Sequence, residues 1–287
     1  MAISSRIFTF DHGGSSMKIS YDGTQDVHTP NQQDKTVVIV QHGNSRDSAG
    51  IARSVERSAQ EAGVDADDFA VFSVDFTTSS DKKSGQPYWT SSGWKGGDES
   101  VAASPGPQVS SFDVINDLIA EVSENFPNME NLVITGHSAG GQFVSRYIGG
   151  ADLSSVPADV DVDFIAANPS TWMWLDEKIP YKYGLDDLNG YMAKIGADGI
   201  VDNLQERGLT IMIGTEDTSR VNDLDTSRYA ELQGRNRYER AQNYDEHLDE
   251  YFNGASNHEY VEVPGVGHSH GGMYRSSIGE DLLWGDM

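Results

Sequence analysis

The 287-residue chain contains no cysteine. Disulfides, thiolate metal sites and a cysteine nucleophile are thereby excluded. Lysine is scarce at eight residues, and Lys and Arg together number 20 against 45 Asp and Glu. The resulting formal charge of −25 argues against nucleic acid as a partner, because phosphate binding needs clustered cations. An anionic membrane surface is disfavoured for the same reason. The acidic residues are dispersed, as in Asp65-Ala66-Asp67-Asp68 and Asp159-Val160-Asp161-Val162-Asp163. They read as a solvated surface or, with so little lysine, as adaptation to high salt, where screening removes self-repulsion. No apolar run approaches the roughly 20 residues of a membrane-spanning helix. Residues 1–10 also lack the apolar core of a signal peptide. A chain whose leader has been removed would look the same, so the expectation is a soluble protein, cytoplasmic or secreted.

What is present is an alternation of β-branched runs and amphipathic stretches, the pattern of an α/β fold with a largely parallel sheet. Residues 6–10 and 17–21 read as a hairpin joined by Asp11-His12-Gly13-Gly14. Strands are predicted at 35–41, 69–76, 131–135, 162–167, 209–213 and 258–263. Helices are predicted at 51–63, from Ser110 or Ser111 to Phe126, at 142–148, at 238–252 and at 276–284. In the 238–252 helix, Ala241, Tyr244, Leu248 and Tyr251 are expected to face inward. The whole chain, 1–287, reads as one domain. Residues 77–109, rich in Ser, Gly and Pro, are too long for a plain connection and read as an insertion at the rim of a site. Residues 175–207 read as irregular, forming a small cap.

The sharpest signal is Gly136-His137-Ser138-Ala139-Gly140, set between an apolar strand and a helix. This is the pattern of a nucleophile elbow, in which small residues on either side let the chain turn tightly and expose one hydroxyl. A serine hydroxyl is a weak nucleophile, so it needs a general base, and the base needs an orienting carboxylate. These should follow in the order acid then histidine, each just past a strand. Asp217 is the expected acid, with adjacent Glu216 as the substitute. His268 is the expected base, with His270 as runner-up. Of the other histidines, His42 is expected to anchor a backbone turn and His137 to support the elbow. The loop Gln41-His42-Gly43-Asn44-Ser45 follows the strand at 35–41. Its Asn44 N–H, together with that of Ala139, is expected to form an oxyanion hole. Among the aromatics, Trp172 and Trp89 are the expected substrate contacts, which would suit an aryl ester or a polyester. A metal site at His268, His270 and His258 has poor spacing, and no metal is expected.

Together these motifs resemble the α/β-hydrolase superfamily over residues 35–284. The resemblance implies an eight-stranded, mostly parallel sheet with helices on both faces. It also implies a Ser138–His268–Asp217 triad, no cofactor, and an esterase- or lipase-like activity on a small-molecule or polymeric ester. A peptidase or amidase on the same fold, or a non-catalytic binding protein, are the alternatives.

Overall fold

The computed structural model describes residues 2–221 and 223–285. All eight strands join one sheet in the order β1-β2-β4-β3-β5-β6-β7-β8. The hairpin β1 (Ser4–His12) and β2 (Ser15–Gly23) is antiparallel and joins β4 (Phe69–Val74) antiparallel. From β4 onward the pairing is parallel, through β3 (Thr36–Gln41), β5 (Asn131–His137), β6 (Asp161–Ala167), β7 (Thr210–Gly214) and β8 (Glu259–Val263).

The central strands are buried on both faces, which is why their sequences are continuous apolar runs. In β3, Val37 and Ile39 join one core layer while Val38 and Val40 join the other. The first layer packs against α2 (Ser111–Asn125), α3 (Ala139–Tyr147), α4 (Met192–Arg207) and α6 (Arg237–Phe252), through residues such as Leu118, Phe143, Leu204 and Tyr244. The second packs against α1 (Ser48–Ala62) and the C-terminal α8 (Ser277–Trp284), through Ile51, Val55, Leu283 and Trp284. The starts of α1 and α2 have physical causes. The Ser110 side chain accepts from Phe112 N to cap α2, Asp47 accepts from Gly50 N to cap α1, and Gly63 ends α1 with φ 79°. Two short helices were not anticipated, α5 (Arg228–Gln233) and α7 (His270–Tyr274).

Several expectations need correction. The stretch 175–207 is irregular only to residue 191. Beyond that it forms α4, kinked at Gly196 (φ 77°). Met192, Ile200 and Leu204 are its only buried residues among those described, too few to give a clear helical period. In α6, Tyr251 is 45% exposed and Phe252 takes the buried position. Steps of four from Tyr244 through Leu248 reach residue 252, so the helix turns Phe252 rather than Tyr251 to the core.

Parallel register brings the strand ends that matter to one edge. Gln41 of β3 pairs with Gly136 of β5, and His137 pairs with Ala167 of β6. The loops that leave β3, β5, β6, β7 and β8 therefore converge, as expected for sites in open parallel sheets. Among the described residues, no helix is long and apolar enough to cross a membrane.

Candidate active site

The turn from β5 into α3 is forced by contact. A Cβ on Gly136 would lie 2.4 Å from the Gly140 carbonyl, and one on Gly140 would lie 2.0 Å from the Gln41 carbonyl oxygen. Ser138 occupies the turn with φ 61° and ψ −116°, a conformation that costs an L-residue about 1–3 kcal/mol. Its N–H donates to the Ala167 carbonyl at 2.9 Å, which anchors the strained residue to β6.

The loops after β7 and β8 bring two further side chains to this hydroxyl. His268 Nε2 lies 3.0 Å from Ser138 Oγ, and His268 Nδ1 lies 2.7 Å from Asp217 Oδ2. Asp217 is buried, whereas Glu216 beside it is exposed. Asn168, at the end of β6, also donates from Nδ2 to Asp217 Oδ2 at 2.9 Å. The same amide spans to the Gly267 carbonyl at 3.1 Å and accepts from Gly214 N at 3.0 Å, so it ties the ends of β6 and β7 to the His268 loop. Asn168 adopts φ 48°, which asparagine tolerates better than most residues. On the other carboxylate oxygen, the buried guanidinium of Arg237 approaches Asp217 Oδ1 at 3.6 Å.

Neighbouring histidines have separate partners. His270 Nδ1 lies 2.9 Å from Ser54 Oγ, in α1. His137 is fully buried, and its ring centroid is 4.7 Å from that of His268. Burial, reinforced by the nearby imidazoles of His268 and His270, pushes its pKa far below the usual histidine value, so it is a neutral wall behind His268. His42 Nε2 accepts from Phe76 N at 3.1 Å, which leaves Nδ1 to donate to the Gly43 carbonyl at 2.9 Å. This ring shapes the turn that carries Gly43 and Asn44. His258 faces Asp245 at 2.9 Å.

Gly43 closes against Ser138. A Cβ built there would lie 3.6 Å from Ser138 Cβ. Asn44, Ser138, His137, His268 and His270 line a cleft of about 420 Å³, in which Ile51 is the one aliphatic side chain among the described residues. Ala139 is the first residue of α3, so its N–H has no acceptor within the helix and lies at the positive end of the helix dipole. A larger depression of about 560 Å³, between the end of α1 and α8, holds no histidine.

No family model matches the chain, and no curated protein matches it by sequence. Solved structures do. The poly(3-hydroxybutyrate) depolymerase LpqC of Bordetella parapertussis superposes with a TM-score of 0.72 at 22% identity, covering 100% of this chain and 90% of its own. The chain has the α/β-hydrolase fold. Poly(aspartic acid) hydrolase-1 of Sphingomonas sp. KT-1 is similar, with a TM-score of 0.71 at 22% identity, covering 99% of this chain and 100% of its own. An S-formylglutathione hydrolase of Agrobacterium tumefaciens shares the fold more distantly, with a TM-score of 0.51 at 16% identity and coverage of 99% and 97%.

Within this α/β-hydrolase fold, the structure brings together Ser138, His268 and Asp217, and Asn44 lines the same cleft, while Ala139 follows Ser138 at the start of α3. It does not bring Trp172 or Trp89 there. Trp172 is fully buried and stacks on Tyr244 with centroids 4.7 Å apart. Trp89 is 1% exposed, packs edge-on against Phe76 and donates from Nε1 to the Asp98 carbonyl. Both are core residues, held there by the large area an indole removes from water. Asn168 and Arg237 were missed. Asn168 directly follows the predicted strand at 162–167, but a short amide at a strand end serves many turns. The partners of Asn168 lie about fifty and a hundred residues further along the chain.

Proposed function

We propose that this chain is a serine hydrolase that cleaves carboxylic esters through an acyl-enzyme. The observation that carries the reading is the continuous relay from Ser138 Oγ through His268 to Asp217, with contacts of 3.0 and 2.7 Å. Ser138 Oγ attacks the acyl carbon as His268 Nε2 takes its proton. Asp217 holds the imidazole with Nδ1–H toward Oδ2 and stabilises the imidazolium. The main-chain N–H groups of Asn44 and Ala139 receive the developing oxyanion. The imidazolium then protonates the leaving alcohol. Water gives a proton to His268 and its oxygen to the acyl carbon, which frees the acid and restores Ser138.

The cleft favours small polar acyl groups over aryl or long alkyl ones, because Ile51 alone supplies aliphatic lining among the described residues. The neighbours described as a poly(3-hydroxybutyrate) depolymerase and a poly(aspartic acid) hydrolase make short hydroxyacyl oligomers worth including among test substrates.

A fluorophosphonate probe followed by peptide mass spectrometry tests the reading. Labelling at Ser138, lost together with nitrophenyl acetate turnover in Ser138→Ala, is expected. Turnover that survives this substitution overturns the proposal. A matched panel of esters and amides then separates ester from amide preference.

A further inference from the structure

Lys95 sits in the 3₁₀ turn Trp94–Gly96 of the rim segment. Its carbonyl accepts from Arg146 Nη1 at 3.0 Å, so its backbone is fixed to α3 behind the nucleophile. Its ammonium donates to Asn44 Oδ1 at 3.4 Å, and among the described residues it forms no ion pair. Lys182 nearby differs, because it pairs with Asp98 at 2.8 Å. An ammonium has three donors and no acceptor, so it can face only the oxygen end of a carboxamide. The Nδ2 end of Asn44 is thereby turned away from Lys95. Asn44 lines the same cleft as Ser138 and His268, and among the described residues its Nδ2 donates to no protein acceptor.

We propose that Lys95 is a positioning residue: it locks the Asn44 carboxamide with its NH₂ group turned into the cleft, adding a side-chain donor for the acyl oxygen to the two main-chain ones. The inference rests on the ester-hydrolase reading and adds to it a residue that never touches substrate.

The lock has a pH limit. Burial, helped by the facing guanidinium of Arg146, pushes the Lys95 pKa down to about 8. Asp225 and Asp223, from the loop before α5, oppose this shift, and Lys182, from the segment after β6, reinforces it. Below that pH the group is a pure donor. Above it the neutral amine gains a lone pair and can accept from Nδ2, so the amide is free to turn over. The side-chain donor is therefore present at neutral pH and lost as pH rises through about 8.

The test is steady-state hydrolysis of nitrophenyl acetate from pH 6 to 9.5. The proteins are the wild type, Lys95→Met, Lys95→Arg, Asn44→Ala and the Lys95→Met/Asn44→Ala double variant, each titrated with a fluorophosphonate. Asn44→Ala should lower kcat about a hundredfold, the scale of one lost oxyanion donor. At neutral pH, Lys95→Met should lower kcat about tenfold with KM nearly unchanged, and the double variant should be no slower than Asn44→Ala alone. Wild-type kcat should fall above about pH 8. Lys95→Arg, whose guanidinium keeps its proton, should hold kcat and lose that fall. Multiplying losses in the double variant, or an alkaline fall that persists in Lys95→Arg, overturns the inference. The arginine variant decides the matter even where the methionine variant is unstable. Failure of wild-type Ser138 to label overturns the hydrolase reading and this inference with it, whereas labelling with multiplying losses overturns this inference alone.

Discussion

Asp217 Oδ2 receives both His268 Nδ1 and Asn168 Nδ2, while Oδ1 faces Arg237. Replacing the carboxylate by an amide puts an NH₂ group where an acceptor is needed or forces the wrong imidazole tautomer. Asp217→Asn should therefore lower kcat about ten-thousand-fold with little change in KM, the scale known for this substitution in a serine protease. An equal loss in Glu216→Gln would transfer the role, but the exposure of Glu216 argues against that result. Asn168→Ala is a milder test of the same node. It removes one bond to Asp217, leaves Gly214 N–H without its acceptor, and leaves the Gly267 carbonyl with Ser269 N–H alone. A fall in kcat of about tenfold and a destabilisation of about 1–3 kcal/mol are expected, measured by kinetics and urea unfolding. An unaltered kcat would remove Asn168 from the site. At this scale the sequence showed what the backbone pattern marks. Ser138 was legible because an elbow needs Gly136 and Gly140 at fixed offsets. Asp217 was preferred to Glu216 from the sequence, but which of two adjacent carboxylates the turn buries is decided only in the fold.

Among the elements, the strands at 35–41 and 131–137 and the helix at 111–125 announced themselves through long runs and clear caps. The α4 helix did not, because it buries few residues and carries a glycine kink. The segment 77–109 stood out by length and composition, but the burial of its indoles did not. Trp94 packs 4.7 Å from His42 and stacks near Phe76 and Phe143, so the segment contributes to the core. Arg146 binds these pieces together. Its buried guanidinium reaches the Lys95 carbonyl through Nη1, the Lys182 carbonyl through Nε and Thr171 Oγ1 through Nη2, at 2.9–3.0 Å. Arg146→Met keeps much of the volume but abandons these acceptors. It should cost about 2–4 kcal/mol in chemical denaturation. Limited proteolysis should then cut first within 77–109 and 175–191. A native cleavage pattern would show that the two segments hold without it.

For the molecule as a whole, 45 acidic against 20 basic residues give a charge of −25 that the folded state must concentrate. Self-repulsion of this size weakens with ionic strength. The melting temperature should climb as NaCl rises from about 0.1 to 2 M, more steeply than osmotically matched sucrose produces. Sucrose stabilises by exclusion and does not screen charge. A flat NaCl curve rejects high-salt adaptation. A largely parallel α/β sheet was legible in the alternating pattern and its eight strands in the superfamily resemblance, but the strand order was not. The meeting of five strand ends depends on register, which composition does not carry. One contact set by that register has a wider consequence. The amide backbone at Gly140 presses on Gln41 so closely that no methyl group fits between them. Together with the Gln41–Gly136 strand pairing, this weld makes the turns bearing Asn44 and Ala139 one piece. Neither turn can swing away alone, so any motion that opens or closes the cleft has to arise at its mouth. Diversification toward new substrates would likewise be confined to the outer walls, leaving the weld untouched.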